Sequence, residues 1–231
     1  MATILNIETS GEICSVAVSR GGLVEYQLED LEPMSHARRL APFIEKCLAE
    51  MERREIKPDA VAVSIGPGSY TGLRIGLSTA KGLCMGLGIP LLAISTLQIL
   101  AVKAMFSSMD WTGEEILVPM LDARRMEVYT AAYDFALRPL IEPMPLILEG
   151  DSYTSLPADR RVIFVGPGAT KARDIVSRND AVWLTEMQPH ARDMTALAEK
   201  ALREGAIADT AYCTPLYLKE FQATKPKNPL A

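Results

Sequence analysis

The first hundred residues alternate between two periods of hydrophobicity. Thr3–Ile7 is an apolar run, and Cys14–Ser19 and Leu23–Leu28 alternate; Glu8-Thr9-Ser10-Gly11 and Gly21-Gly22 break the pattern between them. Short alternating runs divided by polar or glycine turns predict three antiparallel strands. The period then lengthens. Leu40, Phe43, Ile44, Cys47, Leu48 and Met51 recur at helical spacing, while Arg38, Glu45, Lys46, Glu50 and Arg53 occupy the other side. That is an amphipathic helix, with Ser35 as its N-cap and a kink or late start at Pro42.

Ala60–Ile65 is apolar throughout and predicts a buried strand, broken by Gly66-Pro67-Gly68-Ser69. Helical spacing resumes at Thr71 with three distinct faces. Leu73, Leu77, Ala80, Cys84 and Leu87 form an apolar stripe; Gly72, Gly76, Thr79 and Gly86 form a stripe almost without side chains; Arg74, Ser78, Lys81 and Met85 form the third. A glycine in a helix interior costs roughly 1 kcal/mol against alanine. Close approach of another element to Gly72 and Gly76 is the expected compensation. Leu91–Ile94 predicts a further strand, and Ser95 caps a helix running to about Phe106. The order β-β-β-α-β-α-β-α is that of the ribonuclease-H-like fold.

The second half repeats this order more loosely. Ile116–Leu121 and Met126–Tyr133 predict a hairpin around Asp122-Ala123-Arg124-Arg125, and Arg138–Leu148, with Pro139, Pro143 and Pro145, predicts an edge strand at best. Val162–Val165 runs into Gly166-Pro167-Gly168, a hundred residues after the first Gly-Pro-Gly, and then into helical stretches at Thr170–Arg178 and Thr195–Arg203. The recurrence predicts a duplicated architecture with a reduced second copy. The division expected is 1–110, 111–220 and a mobile tail over 221–231, with the boundary in the polar stretch Ser107–Glu114.

Composition narrows the function. The 231 residues carry a net charge of −5, and 48% are apolar. That balance argues against a chain that binds nucleic acid by itself, which needs clustered Lys and Arg. The longest apolar stretch, Gly88–Val102, is too short and too interrupted to span a bilayer, and the N-terminus has no basic region ahead of an apolar run. Cys14, Cys47, Cys84 and Cys213 are isolated within apolar patterns, as buried thiols in a reducing cytoplasm are.

Candidate chemistry is sparse. Glu8-Thr9-Ser10 lies between two strands, where a carboxylate and hydroxyls serve a metal–phosphate group in sugar kinases and actin; the alternative is a hydrogen-bonded turn. Asp122 is the corresponding residue of the second hairpin, and with Arg124 and Arg125 it equally suits a surface ion pair. His36 and His190 are the only histidines and have no acidic residue at ligand spacing, so no metal site is expected. Ser69 lacks the Gly-x-Ser-x-Gly elbow of a nucleophilic serine. The helices offer more. His36, Leu40, Phe43 and Cys47 on the first, with Tyr70, Arg74, Ser78 and Lys81 on the second, are the residues expected to meet another subunit. Two-fold pairing would then build a four-helix bundle across the contact.

The segments ILNIETSGEICSVAVSRGG, SHARRLAPFIEKCL, VAVSIGPGSYTGLRIGLSTAKGL, GIPLLAISTL and PLYLK resemble the TsaB (YeaZ) family of bacterial tRNA threonylcarbamoyladenosine biosynthesis proteins, also labelled Gcp-like or glycoprotease-like. The resemblance covers nearly all of the first hundred residues, and GPGSYTGLRIG is its most specific part. It implies an α/β, tandem ribonuclease-H-like, actin-like ATPase (ASKHA) fold. It also implies a cytoplasmic, non-catalytic subunit whose first two helices pair with a TsaD-like catalytic chain, or with a second copy when alone. A TsaE-like ATPase joins that assembly, and tRNA is reached only through the complex. Glu8, Thr9, Ser10 and Asp122 would then be a vestigial nucleotide site, with ATP or ADP and Mg²⁺ only at a shared interface. The competing readings are an actin-fold ATPase or carbamoyl-group transferase and, further off, a zinc peptidase. Lys219 stands where many family members have Arg.

Overall fold

Two five-stranded mixed sheets carry the chain, and their strands follow the same order. The computed structural model describes residues 1–32, 35–108 and 110–219; the tail expected over 221–231 lies outside the described residues. In the first sheet β1 (Thr3–Glu8), β2 (Cys14–Arg20), β3 (Leu23–Asp30), β4 (Ala60–Gly66) and β5 (Leu91–Ser95) lie in the order β3-β2-β1-β4-β5. In the second, β6 (Ile116–Asp122), β7 (Glu127–Tyr133), β8 (Pro139–Ile147), β9 (Val162–Val165) and β10 (Ala181–Leu184) lie in the order β8-β7-β6-β9-β10. Each sheet is an antiparallel three-strand meander extended by two parallel strands. The duplication is therefore architectural. The two Gly-Pro-Gly turns open alike, with Gly66 at φ +112° and Gly166 at φ +108°, a region that L side chains rarely adopt, and then diverge: the Gly66-Pro67 bond is cis, and Gly68 stands at φ +159° where Gly168 stands at −69°. This is the tandem ribonuclease-H-like, actin-like ASKHA fold, with the second copy reduced.

The helices differ between the copies. α1 (His36–Arg53) and α2 (Tyr70–Leu87) pack side by side on one face of the first sheet, where Leu40, Ile44, Cys47 and Met51 meet Leu77, Ala80 and Cys84. The second copy has turns in place of the first of these and only α4 (Ala169–Ala172) in place of the second. α3 (Thr96–Met105) is buried nearly all round because it lies between the sheets. Ile99 and Val102 face the first sheet; Leu97, Leu100, Ala101 and Ala104 face the second. A helix apolar on every side is what such a position requires.

Several expectations need correction. α1 starts at His36 and continues through Pro42, which is exposed, so the lost backbone bond faces water. Ser35 takes the N-cap position of α1 without a capping side-chain bond; Ser69 does cap α2, accepting from the Gly72 N–H at 3.3 Å. The helix expected over Thr170–Arg178 ends at Ala172, and β10 was not anticipated. The expected unit 111–220 does not keep to its own sheet. After a 3-10 turn at Ala191–Met194, α5 (Thr195–Arg203) packs on the first sheet, where Met194, Leu197 and Ala198 join Ile4, Ala60 and Leu92. The segment from 208 to 219 also returns to the first sheet, bridging Ala208 to Leu91 and donating the Leu216 N–H to Ile65 O at 2.7 Å.

Candidate functional site

The Glu8 turn is sealed. Glu8, Thr9 and Ser10 are 0%, 0% and 2% exposed. The Ser10 N–H donates to Glu8 Oε1 at 2.5 Å, and the Thr9 hydroxyl donates to the Gly72 carbonyl at 2.9 Å. Ser10 O accepts from the Ser69 N–H at 2.7 Å. The turn thus has the start of α2 as its roof, and Pro189 packs over Gly11 on its flank. Burial pushes the Glu8 carboxyl up to about 7, against the lowering effect of the Ser10 hydroxyl and N–H and the Ser64 hydroxyl. Asp122, by contrast, is exposed at the end of β6, accepting from the Arg124 N–H at 2.6 Å and from Lys171 Nζ at 3.2 Å. A magnesium–phosphate group needs accessible oxygens. A carboxyl with no exposed surface, and a hydroxyl committed to a backbone carbonyl, do not offer them.

This geometry gives a pH prediction. The folded Glu8 pKa lies above its ordinary 4.5. The native state therefore holds its proton more tightly, and stability is full below pH 4.5 and lost as pH rises to about 7. The loss attributable to this one group is about 3 kcal/mol. Glu8→Gln, which keeps the neutral shape, should remove it. Urea unfolding of both proteins across that range should give a difference that grows with pH and then levels off. A constant difference would contradict the assignment.

Both histidines are buried. His36 is 7% exposed, and its pKa is lowered by burial. His190 Nδ1 lies 2.9 Å from Glu29 Oε2, and burial lowers its pKa as well. Among the described residues no group of three His, Cys, Asp or Glu is placed to hold a metal ion. A pocket of about 400 Å³ opens beside α3, and its lysine, Lys103, is already bound to Gln188 O at 2.8 Å and Asp193 Oδ2 at 2.9 Å.

What remains open is the outer face of α1 and α2. The glycines of α2 fall into two sets about a quarter-turn apart. A Cβ on Gly72 would sit 2.1 Å from Thr9 O, and one on Gly76 would sit 2.2 Å from Thr9 Oγ1. Both compensations are met by this chain's own turn rather than by another helix. Gly86, grouped with them in the sequence, is exposed, as is Gly82, and among the described residues a Cβ on either would meet nothing within 4 Å. With Arg74, Ser78 and Met85, which is 77% exposed, they make a bare stripe along α2. Beside it α1 exposes Ala37, Ala41 and Ala49.

The residues expected at a subunit contact divide accordingly. Leu40 and Cys47 are in the core at 2% and 0% exposure, and His36 is buried, so these three are withdrawn from the surface set. Phe43 is half-buried against the same core. Arg74 and Ser78 are exposed, and Tyr70 and Lys81 are half-buried. A contributor that sequence reasoning missed is the strap from 209 to 219, which crosses α2. Lys81 Nζ donates to Ala211 O at 3.1 Å, Arg74 Nε donates to the Tyr217 hydroxyl at 3.0 Å, and the Tyr70 and Tyr217 rings lie 5.1 Å apart. No helix in the described residues is long and apolar enough to cross a membrane.

Known proteins resemble this arrangement over most of its length. A family model described as TsaD, tRNA N6-adenosine threonylcarbamoyltransferase, matches residues 32–227. The tRNA threonylcarbamoyladenosine biosynthesis protein TsaB of Escherichia coli (strain K12) is 30% identical over 96% of this chain and 96% of its own length. That of Bacillus subtilis (strain 168) is 32% identical over 71% of this chain and 70% of its own. The solved structure of YeaZ from Pseudomonas aeruginosa matches with a TM-score of 0.80 at 30% identity, covering 94% of this chain and 100% of that one. A second, described as similar to peptidase YeaZ from the same organism, gives 0.82 at 29% identity, over 95% and 100%.

Proposed function

Because this chain belongs to the TsaB (YeaZ) family, whose curated members are tRNA threonylcarbamoyladenosine biosynthesis proteins, we propose that it serves that pathway as a non-catalytic partner subunit. The outer face of α1 and α2 docks a TsaD-like catalytic chain, and docks a second copy of this chain when that partner is absent. A TsaE-like ATPase completes the cytoplasmic assembly, and tRNA is engaged through the complex. One observation carries the reading: Gly82 in the interior of α2 and Gly86 in its last turn stand exposed, and among the described residues a Cβ on either would have no neighbour within 4 Å. Bare helix surface is costly in isolation and lets a second helix come close. Two 18-residue helices side by side give a face about 27 Å long and about 20 Å wide. That is the scale of a standard interface, about 800 Å² from each partner.

The enzyme alternative has less support. Glu8 is buried, Thr9 is bonded to Gly72 O, and Asp122 is tied to Lys171. Catalysis needs acids, bases or metals held open to substrate. The test is reconstitution with a TsaD-like chain, a TsaE-like ATPase, threonylcarbamoyl-adenylate and tRNA, omitting each protein in turn. The modified nucleoside should require this chain together with the TsaD-like chain, and this chain alone should form none. Transfer by this chain alone would contradict the proposal. So would measurable heat on titrating it with ATP and Mg²⁺ that disappears in Glu8→Ala.

A further inference from the structure

Arg74 is the only charged residue on the bare stripe of α2, and it is held in place before any partner arrives. Its guanidinium carbon lies 4.1 Å from the centroid of the Tyr70 ring, and its Nε–H donates to the Tyr217 hydroxyl at 3.0 Å. A side chain this long ordinarily loses much rotamer freedom when a complex forms. Here α2 and the strap have already restricted it. With Nε engaged, the two terminal nitrogens remain, and among the described residues they have no acceptor. They form the half of the guanidinium fork that fits a carboxylate in bidentate fashion.

We propose that the strap residue Tyr217 fixes Arg74 as a preset clamp for one carboxylate, an Asp or Glu of the chain that docks on α1 and α2. The inference rests on the docking face proposed above and adds to it the strap and the chemistry of its central contact. The surroundings favour a protein acid over a nucleic-acid phosphate. Phosphate tracking needs several cations together. Ser78, Gly82 and Gly86 are uncharged, and Lys81, the one other cation of α2, turns its Nζ to Ala211 O. Tyrosine and arginine gathered at one place are also the composition of a protein–protein hot spot.

The test measures pairing of the full chain with the TsaD-like chain by titration calorimetry, each variant first checked for an unchanged melting temperature. Arg74→Glu should weaken pairing by about a hundredfold and Tyr217→Phe by about fivefold. Tyr217→Phe should add nothing in an Arg74→Ala background, because its hydroxyl acts only through the guanidinium. Changing one Asp or Glu of the partner to Arg should restore pairing with Arg74→Glu. Three outcomes overturn the clamp: wild-type affinity in Arg74→Glu, an equal Tyr217→Phe loss with and without Arg74, or failure of every partner acid to rescue. Arg74-dependent binding of tRNA by this chain alone would overturn it as well. If Gly82→Leu abolishes pairing while Arg74→Glu does not, the clamp fails and the docking face stands. If both pair normally, the docking face itself is overturned.

Discussion

Gly72→Ala should destabilise the protein by about 3 kcal/mol, lowering the melting temperature by roughly 6–12 °C. The added methyl carbon would sit 2.1 Å from the Thr9 carbonyl oxygen, which is backbone in a fully buried turn and has nowhere to go. Either α2 lifts from the sheet or the Glu8–Ser10 turn distorts, and both disturb the bond from the Thr9 hydroxyl to Gly72 O. Gly76→Ala meets a side-chain oxygen instead, Thr9 Oγ1 at 2.2 Å, and should cost less, because a side chain gives way more readily than backbone even at the loss of its bond to Gly72 O. Gly82→Ala has open space around it and should gain up to about 1 kcal/mol from helix propensity alone. Thermal melts of the three variants test the division directly. Equal effects at Gly72 and Gly82 would mean that the two sets of glycines do not differ as described.

The second large effect separates pairing from folding. Gly82→Leu should leave the isolated chain folded, since among the described residues a Cβ there meets no atom within 4 Å. It should nevertheless reduce pairing with the TsaD-like chain at least a hundredfold, because a branched side chain would hold a helix off the stripe where the two backbones approach. Circular dichroism paired with calorimetric titration gives both readings. A Gly82→Leu variant that pairs with wild-type affinity would place the contact elsewhere.

The sequence carried the architecture well, for reasons that are local. The periods of two and 3.6 located β1 to β5 and the three helices between and after them, and the recurrence of Gly-Pro-Gly pointed to the second sheet. β10 escaped because Ala181–Leu184 is four residues long with no alternation to mark it. α4 was overestimated because helical spacing in Thr170–Arg178 says nothing of how much helix the second sheet has room to cover.

The proposed docking face was harder to read. Leu40 and Cys47 look like contact residues on a helical wheel, yet the apolar stripe of an amphipathic helix belongs first to its own core. Likewise, four glycines on one helix look alike until the Glu8–Ser10 turn is in place beneath two of them. The strap could not be found by periodicity at all. Arg74 and Tyr217 are 143 residues apart, and the segment that brings them together has no regular secondary structure.

Hydrogen exchange of the full chain, with and without the TsaD-like chain, tests the central claim most directly. Slowed exchange confined to α1, to α2 from Arg74 to Gly86 and to the strap, with the second sheet unchanged, is the predicted result. Protection centred on β6 to β10, with none on the two helices, would contradict it.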